Sequence, residues 1–504
     1  MSSKGSMAKL KELRDFGGER QTVGLEDEQI QAFLDVDPHL VQAIDEAYDY
    51  HRELRSTHGG VLQGDEVDLA AGLQSQFVNF YPAESLNPYV AIAGRGPWLI
   101  TSHGAVLHDS GGYGMLGIGH APQSVIDAMN QPWVMANVMT ASFSHERLAT
   151  RLQKEIGQNR PRCPYTKFIC MNSGSESVSV SMRITDVNAM ENAGDRKSVL
   201  VALKGAFHGR TDRPAQISDS TMPKYRQHLH SFQGRDNVRL VEPNNEADLA
   251  RVFEKCDADG EFIEAMYFEP VMGEGRPGQA TTRAFYDLAR QLTAARGAFL
   301  VADSIQAGLR GSGFLSIVDY PGFDGCDSPD MEAYSKALNA GQYPLSVLAM
   351  NDRAAGMYRR GIYGNTMTTN PRALEVAVAV LDGLTPKLRE NIRARGFEFK
   401  QKLTALQAEF PDVITQVCGT GLLLACEIDK SMASVVGFQG LETWCRKHGL
   451  GVIHGGTNAL RFTPHFNITS AEIDLICRVL RQAFRSVEDL EGVRITEGVK
   501  VSVV

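Results

Sequence analysis

Apolar and polar positions in the middle of the chain alternate between two spacings. Short apolar runs predict buried strands at residues 167–170, 198–203, 263–268, 298–302 and 344–350. Apolar side chains at helical spacing predict helices at residues 177–190, 246–255 and 282–296. Strands that alternate with helices indicate a mostly parallel sheet wrapped by helices, and hence an α/β fold. Ligands of such sheets bind beyond the carboxyl ends of the strands, so the residues that follow each strand are the candidates for function.

The beginning of the chain has a different pattern. Residues 1 to about 25 are predicted to be loosely held, and residues 26–55 carry apolar side chains at helical spacing. The helical pattern breaks at Asp37, and Pro38 opens a second helix. Two short apolar runs around Ser102-His103-Gly104 predict a β-hairpin.

The end of the chain predicts a smaller unit. A long helical stretch covers residues 373–381 and 387–407, and strands and helices then mix. The strands are predicted at residues 413–417, 422–428 and 460–463, and the helices at 441–448 and 470–487. We therefore expect an N-terminal extension over residues 1–95, a large domain over 96–380 and a small α+β domain over 381–504.

Composition and charge narrow the class of protein. A chain of 504 residues suits two or three domains, and its net charge of −9 argues against a nucleic-acid or anionic-membrane surface. No apolar run is long enough to span a bilayer, and the first residues lack a signal-peptide core. The eight cysteines form no Cys-x-x-Cys pair, which predicts reduced thiols, a cytoplasmic location and no metal site.

Small residues follow the first strand of the middle region. Ser173, Gly174 and Ser175 precede a predicted helix, where free backbone N–H groups make a site for phosphate. An ordinary N-cap by Ser173 or Ser175 explains the same residues equally well.

Phe207, His208 and Arg210 follow the next strand. The ring of Phe207 suits stacking on a heteroaromatic ligand, and the guanidinium of Arg210 suits a carboxylate. Without context, a core phenylalanine, a structural histidine and a surface arginine are the more ordinary interpretation.

Carboxylates follow the next two strands. Glu274 needs a cationic partner if it is buried, and Arg461 at a later strand end is a plausible one. Asp303 also needs a cation, for which a protonated pyridine nitrogen is suitable. A solvated glutamate and an aspartate that caps a turn are the alternatives.

Lys336 precedes a turn-like segment, and Thr366 belongs to a hydroxyl-rich loop that offers a second phosphate donor. A lysine that points into a cleft loses solvation, which lowers its pKa, and a neutral amine can form a Schiff base with a carbonyl. A solvated surface amine is the usual alternative.

The order and spacing of these pieces resemble the class III pyridoxal-phosphate aminotransferases, the family of ornithine, acetylornithine, 4-aminobutyrate and other ω-amino-acid aminotransferases. The resemblance runs from about Pro97 to Phe484. The matching segments are residues 172–176, 207–211 and 269–275, Asp303 with Gln306, residues 335–338, and Thr366 with Asn370-Pro371. It implies a PLP-dependent transferase of fold type I (aspartate-aminotransferase-like), with a seven-stranded sheet in the large domain, and a homodimer with shared active sites.

The resemblance also implies roles. Lys336 would be the Schiff-base lysine and the proton shuttle, and Asp303 would pair with the pyridine nitrogen of pyridoxal 5′-phosphate. Gln306 would lie near the ring hydroxyl, and Phe207 would stack on the ring. The other cofactor-binding residues would be Ser173, Gly174, Ser175, His208 and, from the partner subunit, Thr366.

Three further residues would bind substrate. Arg210 would bind a substrate carboxylate. Glu274 would mask Arg461 while an ω-amine reacts, and would then release it for the α-carboxylate of an oxo acid. The chain departs from the usual pattern at Ser304, where the family usually has glutamate, and also at Met272, Asn339 and Thr368-Thr369.

We therefore predict a PLP-dependent aminotransferase that acts in two half-reactions on small amino acids and oxo acids such as 2-oxoglutarate or pyruvate, without nucleic acid or membrane. The alternative is a PLP-dependent racemase or aminomutase on the same fold. A non-catalytic binding protein is a third hypothesis, but Lys336 is present. A dinucleotide enzyme is a fourth, supported only by the glycine-rich fragment at residues 418–421.

Overall fold

The computed structural model describes residues 3–134 and 138–497, with side chains described from Lys4 to Val487. Met1, Ser2 and residues 498–504, which belong to the predicted terminal segments, lie outside the described residues. The strands are β1 (Ala91–Arg95), β2 (Trp98–Thr101), β3 (Val106–Asp109), β4 (Lys167–Met171), β5 (Ser198–Leu203), β6 (Val238–Val241), β7 (Phe262–Phe268), β8 (Phe299–Asp303), β9 (Met331–Tyr334), β10 (Ser346–Met350), β11 (Ile414–Thr420), β12 (Leu423–Ile428), β13 (Leu450–Gly451), β14 (Ile453–Gly455) and β15 (Ala459–Phe462). The α-helices are α1 (Ser3–Phe16), α2 (Asp27–Leu34), α3 (Pro38–Leu62), α4 (Glu66–Gln74), α5 (Gln123–Met129), α6 (Phe143–Glu155), α7 (Gly174–Asn192), α8 (Asp212–Gln216), α9 (Met222–His228), α10 (Glu246–Ala258), α11 (Arg283–Ala295), α12 (Asp352–Met357), α13 (Pro371–Asp382), α14 (Pro386–Glu409), α15 (Leu441–Lys447) and α16 (Ser470–Glu497).

A seven-stranded sheet forms the centre of the molecule, in the order β4-β10-β9-β8-β7-β5-β6. Neighbouring strands from β9 to β6 are parallel, whereas β10 runs antiparallel to both β9 and β4. The predicted α/β class with a mostly parallel sheet is therefore confirmed. Strand β6 was not predicted, because its short apolar run lies at the sheet edge and is only partly buried.

Helices cover both faces of this sheet, as its continuous apolar strands require. Strands β7, β8, β9 and β10 are buried at every position. On α11, Phe285, Tyr286, Ala289 and Thr293 are buried at helical spacing, which matches the predicted amphipathic helix. Among the described helices, none combines the length and hydropathy needed to cross a bilayer.

The N-terminal helices follow the predicted break at Asp37. The side chain of Asp37 accepts a hydrogen bond of 2.9 Å from the backbone N–H of His39 and so caps α3, with Pro38 in the first turn. The prediction that the first 25 residues are loosely held is wrong for α1. Leu10 and Leu13 on this helix are fully buried, because their helical spacing gives α1 one apolar face against α3.

The predicted hairpin is formed by β2 and β3. Strand β3 also pairs in parallel with β13, so the hairpin joins a sheet that reaches into the C-terminal part of the chain. The rest of that part contains the antiparallel sheet β11-β12-β15-β14 with α14, α15 and α16. Strand β15 thereby brings the C-terminal region to the edge of the site described next.

Candidate active site

The carboxyl ends of the central strands surround a cavity of about 460 Å³, which we call the central cavity. Each sequence motif after a strand reaches it, because the parallel strands end at the same edge of the sheet. All the site residues predicted from the sequence line it except Thr366: they are Ser173, Gly174, Ser175, Phe207, His208, Arg210, Glu274, Asp303, Gln306, Lys336 and Arg461.

Lys336 follows β9 and begins a short 3-10 turn. Its φ of 42° lies in the left-handed region, which a residue with a side chain rarely adopts. Its Nζ donates a hydrogen bond to Oε1 of Gln306. Burial of the amine, reinforced by the nearby charge of Arg461, lowers the pKa of Lys336 to about 8. A larger fraction of this amine is therefore neutral, and thus nucleophilic, than for a solvated lysine.

Asp303 is the last residue of β8 and is 3% exposed. Its Oδ2 lies 2.8 Å from Nδ1 of His208, and its Oδ1 accepts a hydrogen bond of 3.1 Å from the backbone N–H of Ile305. These contacts fix the carboxylate at the wall of the central cavity. The arrangement provides a buried negative charge for a cationic group of a ligand.

The first turn of α7 forms another wall. Ser173 and Glu176 form a capping box, in which Oε2 of Glu176 accepts a hydrogen bond of 2.9 Å from the N–H of Ser173. Gly174 and Ser175 follow the cap, where backbone N–H groups have no partner within the helix. The N-cap interpretation is therefore confirmed, and the capped first turn of α7 also lines the cavity.

Aromatic rings hold Arg210 at the cavity. Its guanidinium carbon lies 5.3 Å from the ring centroid of Phe207 and 5.4 Å from that of Phe80. The guanidinium thus lies near two aromatic rings, and Arg210 is exposed.

Glu274 and Arg461 meet as the sequence predicts. Nη1 of Arg461, on β15, lies 3.0 Å from Oε2 of Glu274, in the turn after β7, and also donates to the carbonyl of Gly273. The arginine side chain is 5% exposed and that of the glutamate 26%. The glutamate therefore occupies the solvent-facing side of the arginine.

Thr366 is exposed and lies in the loop before α13. Thr366 is not among the described residues that line the central cavity of its own chain. Asn365 beside it donates a hydrogen bond of 2.9 Å to Glu176 in the first turn of α7. The hydrogen bond thus holds this loop near the first turn of α7.

Several cavity residues were missed by sequence reasoning. Phe80, Tyr81, Tyr113 and Met115 line the cavity from segments outside the predicted strands and helices. The apolar cluster Phe77-Val78-Asn79-Phe80-Tyr81 within a polar segment was a signal for the first two.

Glu269 was noticed in the sequence but given no role. It accepts hydrogen bonds of 3.0 Å from the N–H of Phe207 and 2.8 Å from that of Gly273, and so ties two motif loops together. Burial raises the pKa of its carboxyl to about 7.

Ser304 stands where the family usually has glutamate, and a glutamate on the neighbouring strand lies beside it. Strand β8 pairs with β9, and the hydroxyl of Ser304 donates to Oε1 of the fully buried Glu332. A carboxylate is therefore supplied beside position 304 by a neighbouring strand.

Comparison with known proteins gives the same family as the motifs. Residues 80–484 match the family model for aminotransferase class-III. The acetylornithine aminotransferase 1 of Bradyrhizobium diazoefficiens is 30% identical over 392 residues, which cover 76% of this chain and 88% of that protein. The chain belongs to the class III aminotransferases. The succinylornithine transaminase of Salmonella enteritidis is 29% identical and covers 77% of this aminotransferase and 90% of its own length.

Solved structures agree on the fold. The ornithine aminotransferase of Toxoplasma gondii superposes with a TM-score of 0.73 at 21% identity, covering 86% of this aminotransferase and 99% of that chain. A transaminase from the marine bacterium Virgibacillus superposes with a TM-score of 0.70 at 17% identity, covering 84% and 99%. The predicted fold type I is therefore confirmed.

Family membership establishes pyridoxal 5′-phosphate as the cofactor and transamination as the activity. The racemase or aminomutase alternative is not favoured, because the curated relatives are aminotransferases. The family match begins at residue 80, earlier than Pro97, where the resemblance was predicted to begin, and so includes the missed cavity residue Phe80.

The central cavity fits this cofactor by its own chemistry. Among the described side chains, Nε2 of His208, Nε2 of Gln306 and Nε of Arg461 are buried without a hydrogen-bond partner. Buried polar atoms ordinarily have hydrogen-bond partners. These three atoms therefore indicate that a bound polar ligand supplies the missing partners. With Asp303 and Lys336, they offer the cavity groups of both charges.

Proposed function

We propose that Lys336 is the catalytic lysine of this aminotransferase. We also propose that the amino donor is an amino acid whose reacting amine is distant from its α-carboxylate. The Glu274–Arg461 ion pair is the observation that supports this choice of donor. While Glu274 masks Arg461, the α-carboxylate of the donor binds Arg210 near the cavity mouth. The distal amine of the donor then lies at Lys336. In the second half-reaction, Glu274 moves away, and the α-carboxylate of an oxo acid such as 2-oxoglutarate or pyruvate binds Arg461.

The relatives point to the same substrate class. Their names specify acetylornithine and succinylornithine, both amino acids with a distal amine. We propose that the wall formed by Phe80, Tyr81 and Tyr113 selects between acylated and free amino acids.

A screen of half-reactions tests this proposal. The holoenzyme is mixed with ornithine, N-acetylornithine, N-succinylornithine, 4-aminobutyrate or an α-amine such as alanine, and conversion of the cofactor to its amine form is followed by absorbance. We expect distal amines to convert it at least about tenfold faster than alanine, which corresponds to about 1.4 kcal/mol in transition-state energy. Faster conversion by alanine would overturn the proposed donor class.

Each cavity wall has a proposed task in holding the cofactor. The amides of Gly174 and Ser175, with the helix dipole of α7 and the cap residue Ser173, bind the phosphate. Phe207 would cover one face of the cofactor ring, and Gln306 would lie near the ring hydroxyl.

Asp303 would stabilise the protonated pyridine nitrogen of the cofactor, and His208 orients the Asp303 carboxylate. When bound, the cofactor supplies an electron sink that stabilises negative charge on the substrate carbon. Nζ of Lys336 removes the proton from that carbon and carries it during the transfer.

The pH dependence of cofactor capture follows from the pKa of Lys336. Only the neutral amine attacks a carbonyl, and a pKa of about 8 means that protonation removes the nucleophile below that pH. In cofactor-free protein, we expect the capture rate to rise with pH to about 8 and then level off. Stopped-flow absorbance measures this rate. A rate that still rises beyond pH 10 would show an ordinary, solvated amine.

We also propose that the protein acts as a homodimer with Thr366 of the partner subunit at the phosphate. Exposed apolar side chains support this assembly: Phe77, Val78 and Phe143 are 79%, 101% and 82% exposed in the single chain. The exposed position of Thr366, away from its own cavity, supports a role in the second subunit. A cytoplasmic location is proposed from the eight free cysteines.

Subunit complementation tests this sharing. Lys336→Ala and Thr366→Ala chains are co-refolded, and the mixed dimer is isolated by two different tags. If Thr366 acts across the interface, one active site of the mixed dimer contains both substitutions and the other contains neither. We then expect about half of the unmodified activity at limiting cofactor, well above either parent variant. If Thr366 acts within its own chain, no site is intact, and the mixed dimer will show no gain over the Thr366→Ala parent.

A further inference from the structure

Two histidines and a glutamate meet at a place separate from the central cavity. His108 is on β3, His465 lies between β15 and α16, and Glu472 is in the first turn of α16. Nε2 of His108 lies 3.1 Å from Oε1 of Glu472, and Nε2 of His465 lies 2.7 Å from the same oxygen. All these atoms lie within 4.8 Å of one another. We call these residues the His108 cluster.

The spacing of these atoms suits a transition metal ion. Zn²⁺ binds imidazole nitrogen and carboxylate oxygen at about 2.0–2.2 Å, which places neighbouring tetrahedral ligands about 3.3–3.5 Å apart. The observed separations of 2.7 and 3.1 Å need only a small outward shift of the side chains. Imidazole ligands also favour Zn²⁺ and its transition-metal neighbours over Mg²⁺ or Ca²⁺.

Surrounding groups orient the side chains as ligands. Ser110 Oγ lies 3.0 Å from Nδ1 of His108, which leaves Nε2 facing Glu472. The N–H and hydroxyl of Thr469 both donate to Oε2 of Glu472 at 2.7 Å, which leaves Oε1 facing the two imidazoles. Metal-binding histidines and carboxylates are ordinarily fixed by such outer contacts.

The cluster also has an entry path. His465 and Glu472 line a second cavity, of about 580 Å³, which also contacts the N-terminal residues Phe33 to Gln42 and the segment from Ile118 to Gln123. A metal ion can enter from this cavity, and a water molecule there can complete the coordination. His108 lies behind them and is fully buried.

We propose that His108, His465 and Glu472 bind one divalent transition metal ion, with Zn²⁺ as the best-fitting ion. The metal would fasten the N-terminal hairpin to the last helix, since the ligands on β3 and α16 are 364 residues apart in sequence. Its task is structural. The alternative is an ordinary hydrogen-bond network, with protons in place of the metal. The experiment must distinguish this network from a metal site.

Zinc titration of the full-length holoenzyme tests the proposal. The protein is treated with a chelator and dialysed, and Zn²⁺ binding is measured by calorimetry and by bound-metal content. We expect one equivalent at high affinity and a melting temperature that rises with Zn²⁺. If the unmodified protein takes up no stoichiometric Zn²⁺, the cluster is a hydrogen-bond network and the proposal is overturned.

Variants locate the bound ion. His465→Ala and the nearly isosteric Glu472→Gln are each expected to weaken Zn²⁺ binding at least about 100-fold. His39→Ala is the matched control, because His39 lines the same second cavity but is outside the cluster. Far-UV circular dichroism and cofactor absorbance establish that each variant is folded. Unchanged affinity in folded His465→Ala or Glu472→Gln would assign the zinc to another site and contradict the proposal.

Discussion

Replacing Lys336 by alanine is expected to lower the rate of transamination by about 10³-fold or more. The lysine is proposed to carry the proton of the substrate carbon, and a positioned acid or base alone contributes about 10²–10⁴-fold. Its burial and its pKa of about 8 also support the proposal that it is the nucleophile that captures the cofactor. The measurement is the single-turnover rate of cofactor conversion with saturating amino donor. A small primary amine added to Lys336→Ala is expected to restore part of the rate.

Lys204→Ala is the matched control. Lys204 directly follows β5 as Lys336 follows β9, but it is 44% exposed and pairs with Glu242 at 2.7 Å. Its removal should leave the rate within about twofold of the unmodified enzyme, since a surface ion pair contributes only ~0–1 kcal/mol. A Lys336→Ala enzyme within tenfold of the unmodified rate would contradict the role given to this lysine.

Replacing Asp303 by asparagine is expected to slow the same step by about 10²–10³-fold, the usual effect of removing one preorganised electrostatic contact in an active site. Asparagine keeps the size of the side chain but removes the charge that stabilises the protonated pyridine nitrogen. Cofactor affinity should fall as well. Both are measured by titrating the variant with pyridoxal 5′-phosphate before the rate assay.

A second buried aspartate separates this effect from simple loss of stability. Asp330 precedes β9, is fully buried, and accepts hydrogen bonds from Arg290 and from the N–H of Leu300. Asp330→Asn should lower the melting temperature without slowing the folded enzyme. If Asp303→Asn and Asp330→Asn slow the reaction equally, the charge of Asp303 has no special role.

The strands and the residues after them could be predicted from sequence because their signals are local. Four apolar residues at 199–202 are enough to identify β5, and chain order then places Phe207 at its carboxyl end. Helix α1 was missed, since its two buried leucines are diluted by charged neighbours and its packing surface on α3 is distant in sequence. Strand β6 was missed for a similar reason, as partial burial at a sheet edge leaves a weak pattern.

The site was predictable to the extent that its residues lie at the ends of strands or just after them. Lys336, Asp303 and Arg461 were located in this way, and the structure brings them to one cavity. Phe80 and Tyr113 come from irregular segments, for which no periodicity indicates direction. The His108 cluster was also beyond sequence reasoning, which considered metal sites only through cysteine spacing. Its ligands meet because the side chain of His108 on β3 reaches Glu472 on α16, a contact across 364 residues that no local pattern encodes.

The most direct test of the account is to identify the lysine that holds the cofactor. The purified yellow protein is reduced with borohydride, digested and analysed by mass spectrometry. We expect the near-visible absorbance to disappear and a pyridoxyl group to be attached to the peptide that contains Lys336, at one per chain. A pyridoxyl group on any other lysine, or a protein that takes up no cofactor, would contradict the account.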